Sequence, residues 1–148
     1  MTAYSLRTLA LAFLSLTVAG CGGVQEGGGS GDGPVPAGPR SVTGGVYTPS
    51  QAIQGETVFD IYCTACHSAF DLLSPNFASR WSGRSLQELY LRIKNTMPEN
   101  DPGVLTEDQT VNVIAYMLSR QGFRAGDIPL PREPTALGAI TIEATGGP

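Results

Sequence analysis

The sequence predicts an all-α domain with three main helices, and two observations carry that prediction. First, a Ser or Thr stands three residues ahead of a Glu or Gln at Thr48–Gln51, Ser85–Glu88 and Thr106–Gln109, and each pair opens a run of apolar residues spaced three and four apart. This is the capping box, in which the cap and N3 side chains satisfy each other's backbone N–H groups. Second, the motif Cys63-Thr64-Ala65-Cys66-His67 falls at the end of the first run. Its flanks show helical periodicity rather than the alternation of strands.

The first helix starts with Pro49, favoured at the first helical position, and runs into Cys63. Ala52, Gly55, Phe59 and Tyr62 or Cys63 share one face. A glycine inside a helix costs about 1 kcal/mol against alanine. A close helix–helix crossing would justify Gly55; a surface position would merely tolerate it. The second helix begins at Ser85 and carries Leu86, Leu89, Tyr90 and Ile93 as one stripe. It ends before Met97-Pro98, because a residue preceding proline is pushed out of the helical region. The third begins at Thr106, with Glu107 and Asp108 at the positive end of the dipole, and stops near Gln121 with Gly122 beyond. Val111, Ile114, Ala115 and Leu118 form one stripe; Val113, Tyr116 and Met117 form a second. A helix this apolar is expected to be covered on more than one side.

C-x-x-C-H is the signature of covalent c-type haem attachment. Two thiols three positions apart add to the two vinyl groups of one porphyrin, and the adjacent histidine reaches the iron from one face. The chain has one histidine and three cysteines, and His67, Cys63 and Cys66 are the motif. A structural zinc site needs four N or S ligands, and only Cys21 remains to complete one. A thioredoxin-like pair belongs beside a βαβ pattern, which is missing here. A plain disulfide, possible in an exported protein, leaves His67 without a role.

Residues 1–20 read as a signal peptide. Arg7 is the only charge, and the apolar run Leu9–Val18 is too short for a spanning helix of about 20 residues. Val18-Ala19-Gly20-Cys21 resembles a bacterial lipobox, which makes Cys21 the lipidated first residue after cleavage; an ordinary cleavage near Ala19 would instead leave Cys21 a stray thiol. Residues 21–47 are Gly- and Pro-rich and are expected to form a flexible tether. At about 5–6 Å × √n it would reach roughly 25–30 Å. The globular domain is expected over residues 48–124, small for a self-sufficient core unless a covalent haem supplies apolar bulk. The tail, residues 125–148, is rich in Pro and Gly; Ala139–Ile142 is β-prone and able to lie across the body, and only the end is expected to be loose. The expected product is an exported lipoprotein on the periplasmic side, anchored by acyl chains to a membrane surface.

The residues resemble monohaem class I cytochromes c. Gly55, Phe59 and Cys63 match that family's N-terminal helix; Val113-Ile114-Ala115-Tyr116 matches its C-terminal helix, where an aromatic packs over the glycine of the first; Asn95-Thr96-Met97-Pro98 matches its methionine loop. The resemblance covers about Thr48 to Phe123. A closer likeness is to small cytochrome domains associated with pyrroloquinoline-quinone dehydrogenases. It rests on Arg80-Trp81, Ser85-Leu86, Thr96-Met97-Pro98, Ala115-Tyr116, Gly122-Phe123, Leu130-Pro131 and the segment Leu137–Glu143. The resemblance implies a class I cytochrome c fold, three main helices around one covalently attached haem c.

It also implies roles. Cys63 and Cys66 would form the thioethers, with His67 the proximal iron ligand and Met97 the sixth; Met/His ligation raises the potential of a haem. The alternatives are a five-coordinate iron or ligation by Met117. Pro75 is the candidate for the family's proline after the motif, although Ser74-Pro75-Asn76 lacks the usual glycine-rich loop. Trp81 would lie near a haem propionate or simply pack in the core. Arg80 and Arg84 would neutralise propionates or stay solvated.

Removal of Arg7 with the signal leaves eight basic residues against thirteen acidic, a formal charge of −5. That argues against nucleic acid, which needs a basic surface. Arg80, Arg84, Arg92 and Lys94 nonetheless gather ahead of Met97 as a local positive patch. The expected function is one-electron transfer rather than enzyme catalysis, by a monomer that meets redox proteins through a small transient patch. The partners would be a quinoprotein dehydrogenase, a terminal oxidase or another cytochrome. The alternative is a haem c enzyme or gas-binding sensor with an open or displaceable sixth position.

Overall fold

A computed structural model describes residues 40–68, 70–71 and 75–144. The elements run β1 (Arg40–Ser41), a 3-10 turn (Val42–Gly44), α1 (Pro49–Tyr62), α2 (Pro75–Trp81), α3 (Leu86–Thr96), α4 (Glu107–Arg120), α5 (Pro134–Leu137) and β2 (Ile140–Thr141). Residues 1–20, expected as a signal peptide, and Cys21 lie outside the described residues, and no helix among the described residues is long and apolar enough to cross a membrane.

All three expected capping boxes are present. In α1 the Gln51 N–H donates to Thr48 Oγ1 at 3.2 Å and the Thr48 N–H to Gln51 Oε1 at 3.3 Å. In α3 the corresponding Ser85–Glu88 bonds are 3.3 and 3.0 Å, and in α4 the Thr106–Gln109 bonds are 3.2 and 2.8 Å. Gly122, at φ +82°, takes the left-handed conformation that stops α4, and the Phe123 N–H closes back on Leu118 O at 3.1 Å.

α1 packs on α4 more extensively than any other two elements do. Gly55 makes this contact possible: a Cβ there would overlap the backbone carbonyl of Asn112 and stand 2.9 Å from Tyr116 Cβ. The Phe59 and Tyr116 rings meet beside it, centroids 5.4 Å apart and tilted by 46°. Across the same seam Asn112 Nδ2 donates to Gln54 Oε1 at 2.9 Å. The residual cost of a mid-helix glycine is thus offset by backbone-close packing.

The structure corrects one boundary. Residues 40–47 are not tether: Val42, Val46 and Tyr47 are buried, and Tyr47 Oη donates to Phe123 O at 2.5 Å. The described part of the tail lies across the body. Leu130, Leu137, Ile140 and Ile142 are all buried. Gln51, at the start of α1, receives the Leu130 N–H at 2.8 Å and donates to its carbonyl at 3.1 Å. β1 and β2 pair in parallel, Arg40 beside Ile140 and Ser41 beside Thr141. Beyond β2, the Ile142 N–H donates to Arg84 O and its carbonyl accepts from the Gly83 N–H, both at 2.8 Å. The tail is therefore a strap that buttresses the turn between α2 and α3.

Candidate functional site

The motif turns away from the end of α1 in a tight loop. The Cys63 N–H caps α1 on Phe59 O at 2.8 Å; the Cys66 and His67 N–H groups both return to Cys63 O, at 3.1 and 2.8 Å. The loop gathers the two thiols and the imidazole at one edge of a cavity of about 840 Å³. Cys63 is half-buried, and Cys66 and His67 are exposed. Burial pushes the Cys63 thiol above its ordinary range. Downstream, Asp71 Oδ2 accepts from Ser68 N–H at 2.7 Å and Ser68 Oγ at 3.1 Å. Chiefly through that backbone bond, the Asp71 carboxyl sits below the usual carboxylate range.

Apolar side chains from four helices line the cavity: Phe59 from α1, Phe77 and Trp81 from α2, Leu89 and Ile93 from α3, Val113 and Met117 from α4. Met97 and Pro98, joined by a cis peptide bond, close it from the loop after α3. Arg80 and Arg92 also line it and are both exposed, which places them at its rim.

Cys63, Cys66, His67 and Met97 thus share one cavity, and Arg80 and Trp81 join them. Trp81, 9 % exposed, belongs to both the core and the cavity wall. Arg84 does not line the cavity: it lies over the Trp81 ring, 4.7 Å from the centroid, and pairs with Glu88 at 2.8 Å. Pro75 starts α2, and its backbone is all that is described of it. The sequence reading missed α2 as an element, and with it Phe77. Val113 and Met117, from the second apolar stripe of α4, also line the cavity, and Met117 packs against the core as well.

The donor set fits a haem. A thiol pair and a histidine at one edge, a methionine on a closing loop, aromatic and aliphatic walls and arginines at the rim suit a flat apolar macrocycle with two acidic tails. The volume lies within the range of built small-molecule sites, roughly 300–1,000 Å³. The fold and the cavity therefore suit a covalently held haem. Residues 50–117 match the family model described as cytochrome c oxidase, cbb3-type, subunit III. This match supports a monohaem class I cytochrome c, and the mostly helical architecture fits that all-α fold. The matched domain binds haem c, covalently, with its iron. Comparison with curated proteins and with solved structures gives no match.

Proposed function

We propose that this chain is a one-electron carrier, an exported, lipid-anchored cytochrome c. Cys63 and Cys66 hold the haem by thioethers, and His67 and Met97 ligate its iron. The observation that carries the reading is that the C-x-x-C-H turn and Met97 border one apolar cavity. The bound haem supplies a one-electron iron couple. The chain's own residues supply the rest. Phe59, Phe77, Trp81, Leu89 and Ile93 exclude water from the macrocycle faces, which favours the less charged state. Arg80 and Arg92 stand at the rim where acidic tails would emerge. Tyr62 and Val113 complete the apolar surround.

Met97 is favoured over Met117 as sixth ligand because of where each is held. Met97 is the C-cap of α3, in extended backbone, on the loop that closes the cavity. Met117 is fixed within α4, where a flexible thioether commonly fills a gap in packing. The description of the matched family names a terminal oxidase, and this extends to the present chain as one class of partner; a quinoprotein dehydrogenase is the other. The Val18–Cys21 lipobox supports a periplasmic, membrane-tethered location.

Optical spectra of the haem-loaded protein test the reading. The oxidised form should show the weak near-infrared band of sulfur-to-iron ligation, lost in Met97→Ala and kept in Met117→Leu. The reverse pattern would assign Met117. A wild type that is high-spin, or that binds CO readily once reduced, would move the chain to the gas-binding class.

A further inference from the structure

Lys94 is the only lysine among the chain's nine Lys and Arg residues. It sits in the last turn of α3, beside Ile93 and three residues before Met97. Its hydrogen bonds pass over the end of its own helix: Nζ donates to Gly103 O at 3.3 Å and to Leu105 O. Those two carbonyls lie at the far end of the loop Met97–Leu105. The near end is tied to the same helical turn, since the Met97 N–H donates to Ile93 O at 2.9 Å. Between the ends, Asp101 N–H returns to Pro98 O at 3.0 Å, Gly103 takes φ +88°, and the Leu105 side chain is 1 % exposed. The methionine loop is thus a ring closed at both ends on one turn of α3, and Lys94 is the side chain that closes it.

The residue type fits the task. An ammonium is a compact point charge with three donors, able to bridge two converging carbonyls; a guanidinium is a planar fork suited to paired carboxylate oxygens. Hydrogen bonds with a charged donor are also stronger than neutral ones. Elsewhere the chain uses arginine, including Arg84 on the Glu88 carboxylate. We propose that Lys94 is a positioning residue that holds the Met97 loop shut over the cavity and so sets how readily the sixth position yields to an outside ligand. The proposal rests on the reading of Met97 as that ligand. Loss of the ammonium raises the fraction of molecules with the loop open, and the apparent affinity of an external ligand rises with that fraction. Coupling between two sites is reciprocal, so displacing Met97 must also loosen Lys94.

Imidazole titration of the oxidised, full-length holoprotein tests the first half. Lys94→Met keeps the aliphatic stem and removes the charge; it should bind imidazole about tenfold more tightly than the wild type, with a weakened near-infrared band. Ile140→Val, which thins the core at β2, controls for general destabilisation and should leave imidazole affinity unchanged. Wild-type affinity in Lys94→Met, or an equal gain in Ile140→Val, overturns the proposal. The second half needs no variant. Acetylation of the single lysine by an activated ester, followed by mass spectrometry of its peptide, should be slow in the free holoprotein and faster with saturating imidazole. Equal rates also overturn it. Met97→Ala separates the two ideas. If it removes the band while Lys94→Met behaves as wild type, only the clamp fails. If it changes neither band nor imidazole affinity, the assignment of Met97 fails and the clamp with it.

Discussion

Two neighbouring faces of α4 are built on opposite plans. The face bearing Asn112 and Tyr116 meets α1 so closely that a methyl group on Gly55 would collide with backbone. The adjacent face, bearing Val113 and Met117, borders a cavity of about 840 Å³. The first face is complete in the polypeptide alone. The second is complete only when a large apolar body fills it. A cleft of this size lined by apolar side chains from four helices has the character of a small-molecule site. The helix crossing fixes the walls, and the cavity takes the cofactor.

The sharpest way to break the contrast is to deny the cavity its contents. Cys63→Ala with Cys66→Ala should abolish covalent haem, read as loss of haem staining on a denaturing gel, and should cost the holoprotein most of its stability. On the other face, Gly55→Ala should destabilise the holoprotein by about 1–3 kcal/mol, as overpacking does, measured by guanidinium denaturation. An unchanged midpoint would mean the crossing is softer than drawn. Tyr47→Phe, which removes the buried bond to Phe123 O, should cost about 1 kcal/mol. Burial holds the Tyr47 phenol above its ordinary range. A raised folded value favours the protonated group, so this contribution is fully present below the ordinary tyrosine pKa of about 10 and is lost as pH rises through the folded value. The wild-type advantage over Tyr47→Phe should accordingly shrink only in strong alkali.

The smallest effect is expected at Glu88, an exposed carboxylate. The Ser85 backbone N–H first, and the Arg84 guanidinium second, hold it below the ordinary glutamate range. A lowered folded value gives stability present above the unfolded pKa and lost as pH falls through the folded one. In an NMR titration Arg84→Ala should return Glu88 only part of the way, because the capping bond remains.

The three long helices were legible because each begins with a capping box and carries its apolar residues at helical spacing. Gly55 was legible as a crossing because an unexplained glycine inside a helix needs a reason. Other features left weaker traces. α2 and α5 are of seven and four residues, too short to show a period. The strap was hidden by its composition. Leu130 and Leu137 follow no regular spacing among prolines and glycines, and the hydrogen bonds that hold the strap go to partners far away in sequence, Gln51 and the turn before α3. The same holds for Val42, Val46 and Tyr47, whose neighbouring glycines suggested a linker. At the site, Cys63, Cys66, His67 and Met97 could be named from the motif and the resemblance, but which arginine borders the cavity could not. Arg80 and Arg84 stand one helical turn apart in sequence, and only the Trp81–Arg84–Glu88 contacts separate them.

The pairing of β1 with β2 has a mechanical side. A pull on the chain ahead of Arg40 enters the domain through the Arg40 N–H bond to Ala139 O, 2.7 Å long, and the two-residue ladder that follows. The load then passes from Ile142 into the Gly83–Arg84 turn, directly behind Trp81. Strain entering at Arg40 would therefore be felt at the wall of the cavity.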